Sequence, residues 1–387
     1  MKKKIIILGS TGSVGSTTFN ILKKDKKNFD VILLSTNSNV KKIIQQANVF
    51  KVKNIIINNN SKFIEAKKKY NNKNIKFFNN FEDLDKILKN QKIYYSMISV
   101  SGLAGLKPST ILPKYTKYLA IVNKESLICG WDIIKKFISR YNVNFLPIDS
   151  EHYSIFKLLK SYKQSDVEHV YITASGGPFL NYPLKKFKHI KPVNALKHPN
   201  WKMGKKITID SSTLMNKVFE VIEAKNLFNI PYNKISILTH PHSYIHTMIK
   251  FKNGITKILI HDPDMKIPIF NSIYDNKSFF PLKKINFQIL NNLSLRNVDK
   301  KKFPLVKLLN FLPENNSLYE TILITINDFF VYKFLENKIS FNKLTRLIFK
   351  TSMLKEFQKY KKIKPKKIDD IYKISEYVSL KLTKLSI

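Results

Sequence analysis

Three stretches of the chain have residue types and spacing that can do chemistry. Asp149-Ser-Glu151-His152 follows the apolar run Phe145 to Ile148. A strand continued through it would turn Asp149 and Glu151 to one face, and two carboxylates so placed suit a hard divalent ion. An exposed acidic pair has the same spacing. Asp210-Ser-Ser-Thr-Leu-Met-Asn216-Lys217-Val-Phe-Glu220-Val-Ile-Glu223-Ala is the strongest local signal. Asp210 or Ser211 can cap a helix, on which Asn216 and Glu220 share a face at i,i+4 with Lys217 alongside. Amide, ammonium and carboxylate together suit a substrate with hydroxyls, a phosphate and a metal, although a solvated Lys–Glu helix face reads the same way. Gly9-Ser-Thr-Gly12-Ser-Val-Gly15 follows an apolar strand and opens a helix. Glycines at that spacing let the backbone approach a pyrophosphate seated on free N–H groups.

Smaller motifs add to these. Ser175-Gly-Gly offers a hydroxyl and backbone donors to a phosphate, or forms a plain turn before Pro178. His198-Pro-Asn-Trp201-Lys-Met203-Gly204 sets an aromatic and a thioether in a Gly/Pro-bounded loop suited to a lid. His240, His242 and His246 are read as structural rather than metal-binding, since Pro241 places the first two in a turn. The acid that would hold an NAD ribose should end the second strand. That place reads Leu34-Ser-Thr-Asn37-Ser38-Asn39 without a carboxylate, which removes repulsion against a 2′-phosphate and favours NADP.

The elements that must position these groups follow from apolar patterning. Ile5 to Leu8, Val31 to Leu34, Ile55 to Ile57, Tyr95 to Val100 and Leu119 to Val122 read as strands with helices between them, Ser16 to Lys24 being the first helix. Alternation of this kind means an α/β, Rossmann-type doubly wound domain over residues 1–149. Strands Val170 to Thr173, Ile235 to Leu238 and Ile255 to Ile260 suggest an α+β catalytic domain over 150–274. A polar linker is expected over 275–300. Leu318 to Leu335, Phe341 to Phe357 and Ile368 to Leu382 have helical periodicity, so 301–387 reads as a C-terminal helical bundle.

Composition excludes several classes. With 387 residues and 43% hydrophobic content the chain can bury several cores, so global disorder is out. It has no apolar run of ~18 residues, and its initial one ends at Gly9, short of a signal peptide. A single cysteine, Cys129, rules out an internal disulfide and a cysteine-based zinc cluster, and points to a reduced, cytoplasmic setting. The net charge of +41 would suggest nucleic acid, yet only Arg140, Arg296 and Arg346 are arginines, and the lysines are spread through the chain among Asn, Ile, Phe and Tyr. That is a compositional bias with neither nucleic acid nor membrane as partner, and its secondary role is to draw in anionic substrates.

In order along the chain, the three stretches, Ser175-Gly-Gly, the Trp201 loop, Asn123-Lys-Glu-Ser126 and Pro263-Asp-Met265 resemble the 1-deoxy-D-xylulose-5-phosphate reductoisomerase family over residues 9 to 265. The resemblance implies a homodimer that uses NADPH and Mg²⁺ or Mn²⁺, with Co²⁺ admissible. It implies rearrangement and reduction of 1-deoxy-D-xylulose 5-phosphate to 2-C-methyl-D-erythritol 4-phosphate in non-mevalonate isoprenoid biosynthesis. By matching position, Asp149, Glu151 and Glu220 would hold the metal and, with Lys124, form the catalytic group. Lys124, Ser150, Glu151, Ser175, His198, Ser211, Asn216, Lys217 and Glu220 would bind substrate, with Ser175, Ser211, Asn216 and Lys217 near its phosphate. Thr11, Gly12, Ser13, Val14, Asn37, Ser38, Asn39, Asn123, Glu125 and Gly204 would touch the cofactor. Trp201 and Met203 would ride on a flap over residues 197–205. Asn37-Ser38 departs from a Gly-Lys pair common in the family, which puts the strength of NADP preference in question; His261-Asp262, Lys266 and Ile326-Asn-Asp328 are further departures. A semialdehyde dehydrogenase, the nearest rival, needs an activated thiolate, and Cys129 between Ile128 and Gly130 has no such setting.

Overall fold

The computed structural model describes the chain apart from residues 72–73, 202, 275–279, 281–283 and 385–387. Contacts divide it into two units: Met1–Leu127 with Asp132–Asp149 and Met265–Phe280, and Ile128–Trp131 with Ser150–Asp264 and Pro281–Ile387.

The first unit is built on a seven-stranded sheet, all of whose pairs are parallel: β1 (Lys3–Leu8), β2 (Phe29–Thr36), β3 (Asn54–Ile57), β4 (Lys76–Phe78), β5 (Ile93–Ile98), β6 (Thr116–Ile121) and β7 (Asn144–Pro147). Ile5, Ile6, Ile7 and Leu8 are all fully buried, because helices cover both faces of a parallel sheet and leave no solvent side to alternate towards. Each such side chain contributes roughly 1.5–3 kcal/mol relative to exposure. The sheet order β4-β3-β2-β1-β5-β6-β7 reverses direction at β1, and such folds take their ligands at the carboxyl ends of the strands at that point. Helix α1 (Ser13–Lys23) follows β1, α2 (Val40–Phe50) follows β2 and α3 (Lys124–Arg140) follows β6. The helix Lys266–Tyr274 packs into this unit: Tyr95 Oη lies 2.8 Å from Ser272 Oγ, and the Tyr274 hydroxyl donates to Asp25 at 3.1 Å.

The second unit begins with helix α4 (Ser150–Leu158) and has a five-stranded mixed sheet of order β11-β10-β8-β9-β12. Its strands are β8 (Val167–Ala174), β9 (Ile235–Thr239), β10 (Ile245–Phe251), β11 (Thr256–Ile260) and β12 (Arg296–Asn297). Two helices, α5 (Lys205–Ser212) and α6 (Met215–Phe228), follow β8. The bundle helices are α7 (Leu318–Leu335), α8 (Phe341–Ser352) and α9 (Ile368–Lys384). α7 opens with a capping box, in which Ser317 Oγ accepts from the Tyr319 N–H and Glu320 accepts from the Ser317 N–H, and it is buried on nearly every side over its first ten residues. Of the stretch expected to be a linker, residues 275–279 and 281–283 lie outside the described residues, Phe287–Asn291 is a short helix and Arg296–Asn297 pairs with β9.

Candidate active site

The glycine-rich turn leaves β1 with Gly9 at φ +77°, a conformation that L side chains rarely adopt. A Cβ on Gly9 would lie 2.4 Å from the Ser99 carbonyl oxygen, and one on Gly15 would lie 2.2 Å from the Gly9 oxygen. The glycines therefore allow the start of α1 to close against the strand. Gly12 caps that helix without a side-chain hydrogen bond, so the first N–H groups are available to an anion. The end of β2 fixes the turn from the side: Ser35 Oγ accepts from the Gly9 N–H at 2.8 Å, and Thr36 Oγ1 lies 2.7 Å from Thr11 Oγ1. Asn37, Ser38 and Asn39 are exposed beyond it. At the head of α3, Asn123 accepts from the Ser126 N–H at 2.7 Å and donates to the Val100 and Gly102 carbonyls and to Glu125. Lys124, the next residue, is buried and paired with Asp149.

The carboxylates of Asp149, Glu151 and Glu220 converge, each offering an oxygen within 4.8 Å of the others. Glu151 sits in the first turn of α4 and Glu220 in α6. Lys217 Nζ donates to Glu151 Oε1 at 2.5 Å and to Glu220 Oε2 at 2.7 Å, while Asn216 Nδ2 donates to Glu220 Oε1 at 2.5 Å. The Ser150 hydroxyl donates to Glu151 Oε2 at 2.5 Å. Burying this much negative charge is costly unless it is paired, and the two lysines supply that pairing. All three acids offer hard oxygen donors, which suits Mg²⁺ or Mn²⁺ and not a thiolate-seeking metal. The donor set therefore fits a divalent ion. Beneath it His152 is fully buried; its Nε2 lies 2.9 Å from the Glu220 backbone oxygen and its Nδ1 3.3 Å from Glu223 Oε1, so the ring ties α4 to α6.

In the same unit the Ser175-Gly-Gly turn packs close to α5, where a Cβ on Gly177 would meet the Ser211 carbonyl oxygen at 3.1 Å. His198 Nδ1 accepts from the Asn200 and Trp201 N–H groups at 3.2 and 3.0 Å. Those two bonds require Nδ1 to be unprotonated, so in the neutral ring Nε2 carries the hydrogen and donates to Ser175 Oγ at 3.1 Å. Ser175 Oγ also accepts from the Gly177 N–H at 3.1 Å, which leaves its own hydrogen for a ligand oxygen. Burial, and then the Lys217 ammonium, push the His198 imidazole down to about 4. The base of the Trp201 loop is anchored by Asn200, whose Nδ2 donates to Pro241 O at 2.7 Å and Ser243 Oγ at 2.9 Å. The Trp201 ring meets His246 edge-on at 6.3 Å, and His246 stacks on His261 at 3.7 Å.

Family models match most of this chain. The one described as 1-deoxy-D-xylulose 5-phosphate reductoisomerase covers residues 5–130, and those for the family's C-terminal domains cover 145–228 and 260–379. The reductoisomerase of Pelagibacter ubique (strain HTCC1062) is 51% identical over 387 residues, with both chains fully covered. The chain belongs to the 1-deoxy-D-xylulose 5-phosphate reductoisomerase family. The reductoisomerase of Sulfurihydrogenibium sp. (strain YO3AOP1) is 38% identical, covering 96% of this chain and 95% of its own. Among solved structures, the Zymomonas mobilis reductoisomerase in complex with NADPH superposes with TM-score 0.87 at 28% identity, covering 100% of this chain and 99% of its own. A DOX-P reductoisomerase in complex with NADPH, fosmidomycin and magnesium superposes with TM-score 0.91 at 26% identity, covering 99% and 98%.

For a reductoisomerase chain, some local expectations need correction. The strand before Asp149 ends at Pro147 and Glu151 is helical, so the two acids meet through a strand-to-helix turn and not by strand alternation. Asp210 and Ser211 do not cap the Lys217 helix. Both lie inside α5, and Leu214 at φ +60° precedes α6 without a side-chain cap. Buried Asp210 instead accepts from Asn327 Nδ2 at 2.8 Å, and Lys206 bridges it to Asp328 at 3.4 and 2.9 Å. The bundle thus grips the helix that carries Ser211 through Asn327 and Asp328, in the stretch Ile326-Asn-Asp328 at which the sequence departs from the family pattern. Asn216 and Lys217 bond to the carboxylates in this structure. Gly204 caps α5, and Met203 is half-buried. Among the described residues the carboxylate trio is the only converging group of three or more potential ligands, and His240, His242 and His246 form none.

Proposed function

We infer that this chain is the working reductoisomerase of its family, converting 1-deoxy-D-xylulose 5-phosphate to 2-C-methyl-D-erythritol 4-phosphate with NADPH and a divalent metal. The observation that carries this reading is the convergence of Asp149, Glu151 and Glu220 within 4.8 Å. An ion held by these three acids supplies Lewis-acid polarisation of the substrate ketone and a template for its hydroxyl. NADPH supplies the hydride that reduces the rearranged aldehyde.

The residues of the chain bind, orient and exclude water. Ser175, Ser211, Asn216 and Lys217 take the phosphate, so the Lys217 ammonium exchanges a carboxylate partner for a phosphate one and stays paired. Lys124, beside Asp149, faces the sugar hydroxyls, and Ser150 orients Glu151. Neutral His198 fixes the Ser175 rotor so that its hydrogen points to the ligand. Thr11, Gly12, Ser13 and Val14 receive the pyrophosphate, with Asn37, Ser38 and Asn39 at the ribose and Asn123, Glu125 and Gly204 nearer the nicotinamide. Trp201 and Met203 close over the substrate, and phosphate binding energy drives that closure. The assembly is a homodimer in the cytoplasm; the family resemblance supports the first and the single buried cysteine the second. Among the described residues no helix is long and apolar enough to cross a membrane.

The test is the coupled assay: NADPH absorbance followed with purified chain and substrate, with and without Mg²⁺. Turnover only with both metal and substrate is expected. Equal rates after chelation would remove the metal from the reading, and light scattering after gel filtration checks the dimer.

A further inference from the structure

The loop at the end of β2, Asn37-Ser38-Asn39, has no charge of either sign. The nearest charge with a defined geometry comes one step later. Asn39 Oδ1 caps α2 by accepting from the Lys42 N–H at 3.1 Å, and the Lys42 side chain then reaches back across the turn. Its Nζ donates to Thr11 O at 2.9 Å and to Ser16 Oγ at 2.6 Å. One helical turn further on, Gln46 makes the deeper tie: its Nε2 donates to Ser10 O at 2.9 Å, and the Ser10 hydroxyl donates to its Oε1 at 2.7 Å. Gln46 is buried and Lys42 only partly so, which puts the ammonium at the open edge of the seam between glycine turn and β2.

A lysine ammonium has three N–H donors. Two are spent here on neutral oxygens, and among the described residues Lys42 forms no ion pair. The third donor and an unneutralised positive charge remain. In a doubly wound fold the adenosine ribose lies at the end of the second strand, where an acid selects NAD and a cation accommodates the 2′-phosphate of NADP. We propose that Lys42 is the specificity-determining cation of this chain, meeting the 2′-phosphate and selecting NADPH over NADH. The inference rests on the NADPH reading above. Exposed Lys41 in the same helical turn has no bond to the glycine turn and serves as the control.

The test is equilibrium binding to the full-length chain without substrate or metal, read from the fluorescence of the reduced nicotinamide. Lys42→Met should raise the Kd for NADPH at least about tenfold, the scale of a lost charge-assisted contact, while the Kd for NADH stays within about twofold. Lys42→Arg should retain most of the preference, and Lys41→Met should behave as wild type. In the wild type, raising salt should narrow the gap between NADPH and NADH. Equal weakening of both dinucleotides in Lys42→Met would reduce Lys42 to a structural tie and overturn the proposal. So would a wild-type chain that binds NADH and NADPH alike, which leaves the dinucleotide site itself standing. Binding of neither would overturn the NADPH reading as well.

Discussion

The glycine turn and the carboxylate centre hold charge in opposite ways. The turn relies on backbone N–H groups and on space: adding one carbon at Gly15 would put it 2.2 Å from the Gly9 oxygen. The centre relies on side-chain charge: Lys217 lies between Glu151 and Glu220 at 2.5 and 2.7 Å, and Asn216 and Ser150 bond to the remaining carboxylate oxygens. A site made of backbone is sensitive to volume and forgiving of charge. A site made of paired charges is sensitive to charge at constant volume. That difference dictates which substitution damages each.

Glu220→Gln keeps the volume and removes the charge. It should lower kcat/KM about 10³-fold at limiting Mg²⁺, the scale of losing a transition-state charge contact, with a melting temperature close to wild type. A magnesium titration of the initial rate checks this, and an unchanged rate would mean that Glu220 is not a ligand. Gly15→Ala does the reverse, adding volume without charge. Overpacking of this kind costs about 1–3 kcal/mol, and here it falls on the helix start that receives the pyrophosphate. The Kd for NADPH should rise about 100-fold, with a lowered melting temperature. A Cβ on Gly12 comes only to 3.4 Å of the Gly9 oxygen, so Gly12→Ala should melt near wild type. If Gly12→Ala and Gly15→Ala melt alike, space is not what the glycines provide.

The same contrast explains what could be read from the sequence. Carboxylates with a lysine and an amide at helical spacing are visible as residue types, so the sequence itself marks Glu151, Lys217 and Glu220. It also marks the strand-turn-helix around Gly9, Gly12 and Gly15, because apolar runs mark β1 and α1 on either side. Contacts between residues far apart in sequence were not visible. Lys42 is one of 68 basic residues, and nothing local marks it as the one whose Nζ reaches Thr11 and Ser16. Asp210 looked like a cap because a helix does follow it, but the chain was already helical from Lys205, and its partner Asn327 is 117 positions away. The short strand β4 was not legible either, since three residues are too few for a periodicity to show.

The flap offers a smaller effect that sharpens the comparison, since ring contacts and backbone N–H donors hold its base. His261 stacks on His246, whose ring meets Trp201 edge-on, and His261 Nε2 is buried without a hydrogen-bond partner. His261→Gly should free the His246 ring, change Trp201 emission on substrate binding and raise KM a fewfold with kcat little changed. The measurement is best made in a Trp131→Phe background, which leaves Trp201 as the only indole. An unchanged KM and emission would show that the stack does not support the flap.

The smallest effect tests whether the centre uses a proton of its own. The His198 imidazole is held down to about 4, first by burial and then by the Lys217 ammonium, so it stays neutral from pH 8 down to about pH 5. Substrate affinity should therefore show no histidine step near pH 6.5. Stability should show one. An unfolded chain protonates this ring near 6.5, and the folded chain does so only near 4. Between those values the unfolded state binds more protons, so stability present above pH 6.5 is lost progressively as pH falls towards 4. His198→Gln should remove that share of the acid sensitivity. The stability difference between variant and wild type in urea titrations should move in the variant's favour from pH 7 to pH 4.5. A parallel shift at both pH values would mean that the imidazole is protonated in the folded protein. In that case Nδ1 could not accept from the Asn200 and Trp201 N–H groups, and the base of the flap would be held in some other way.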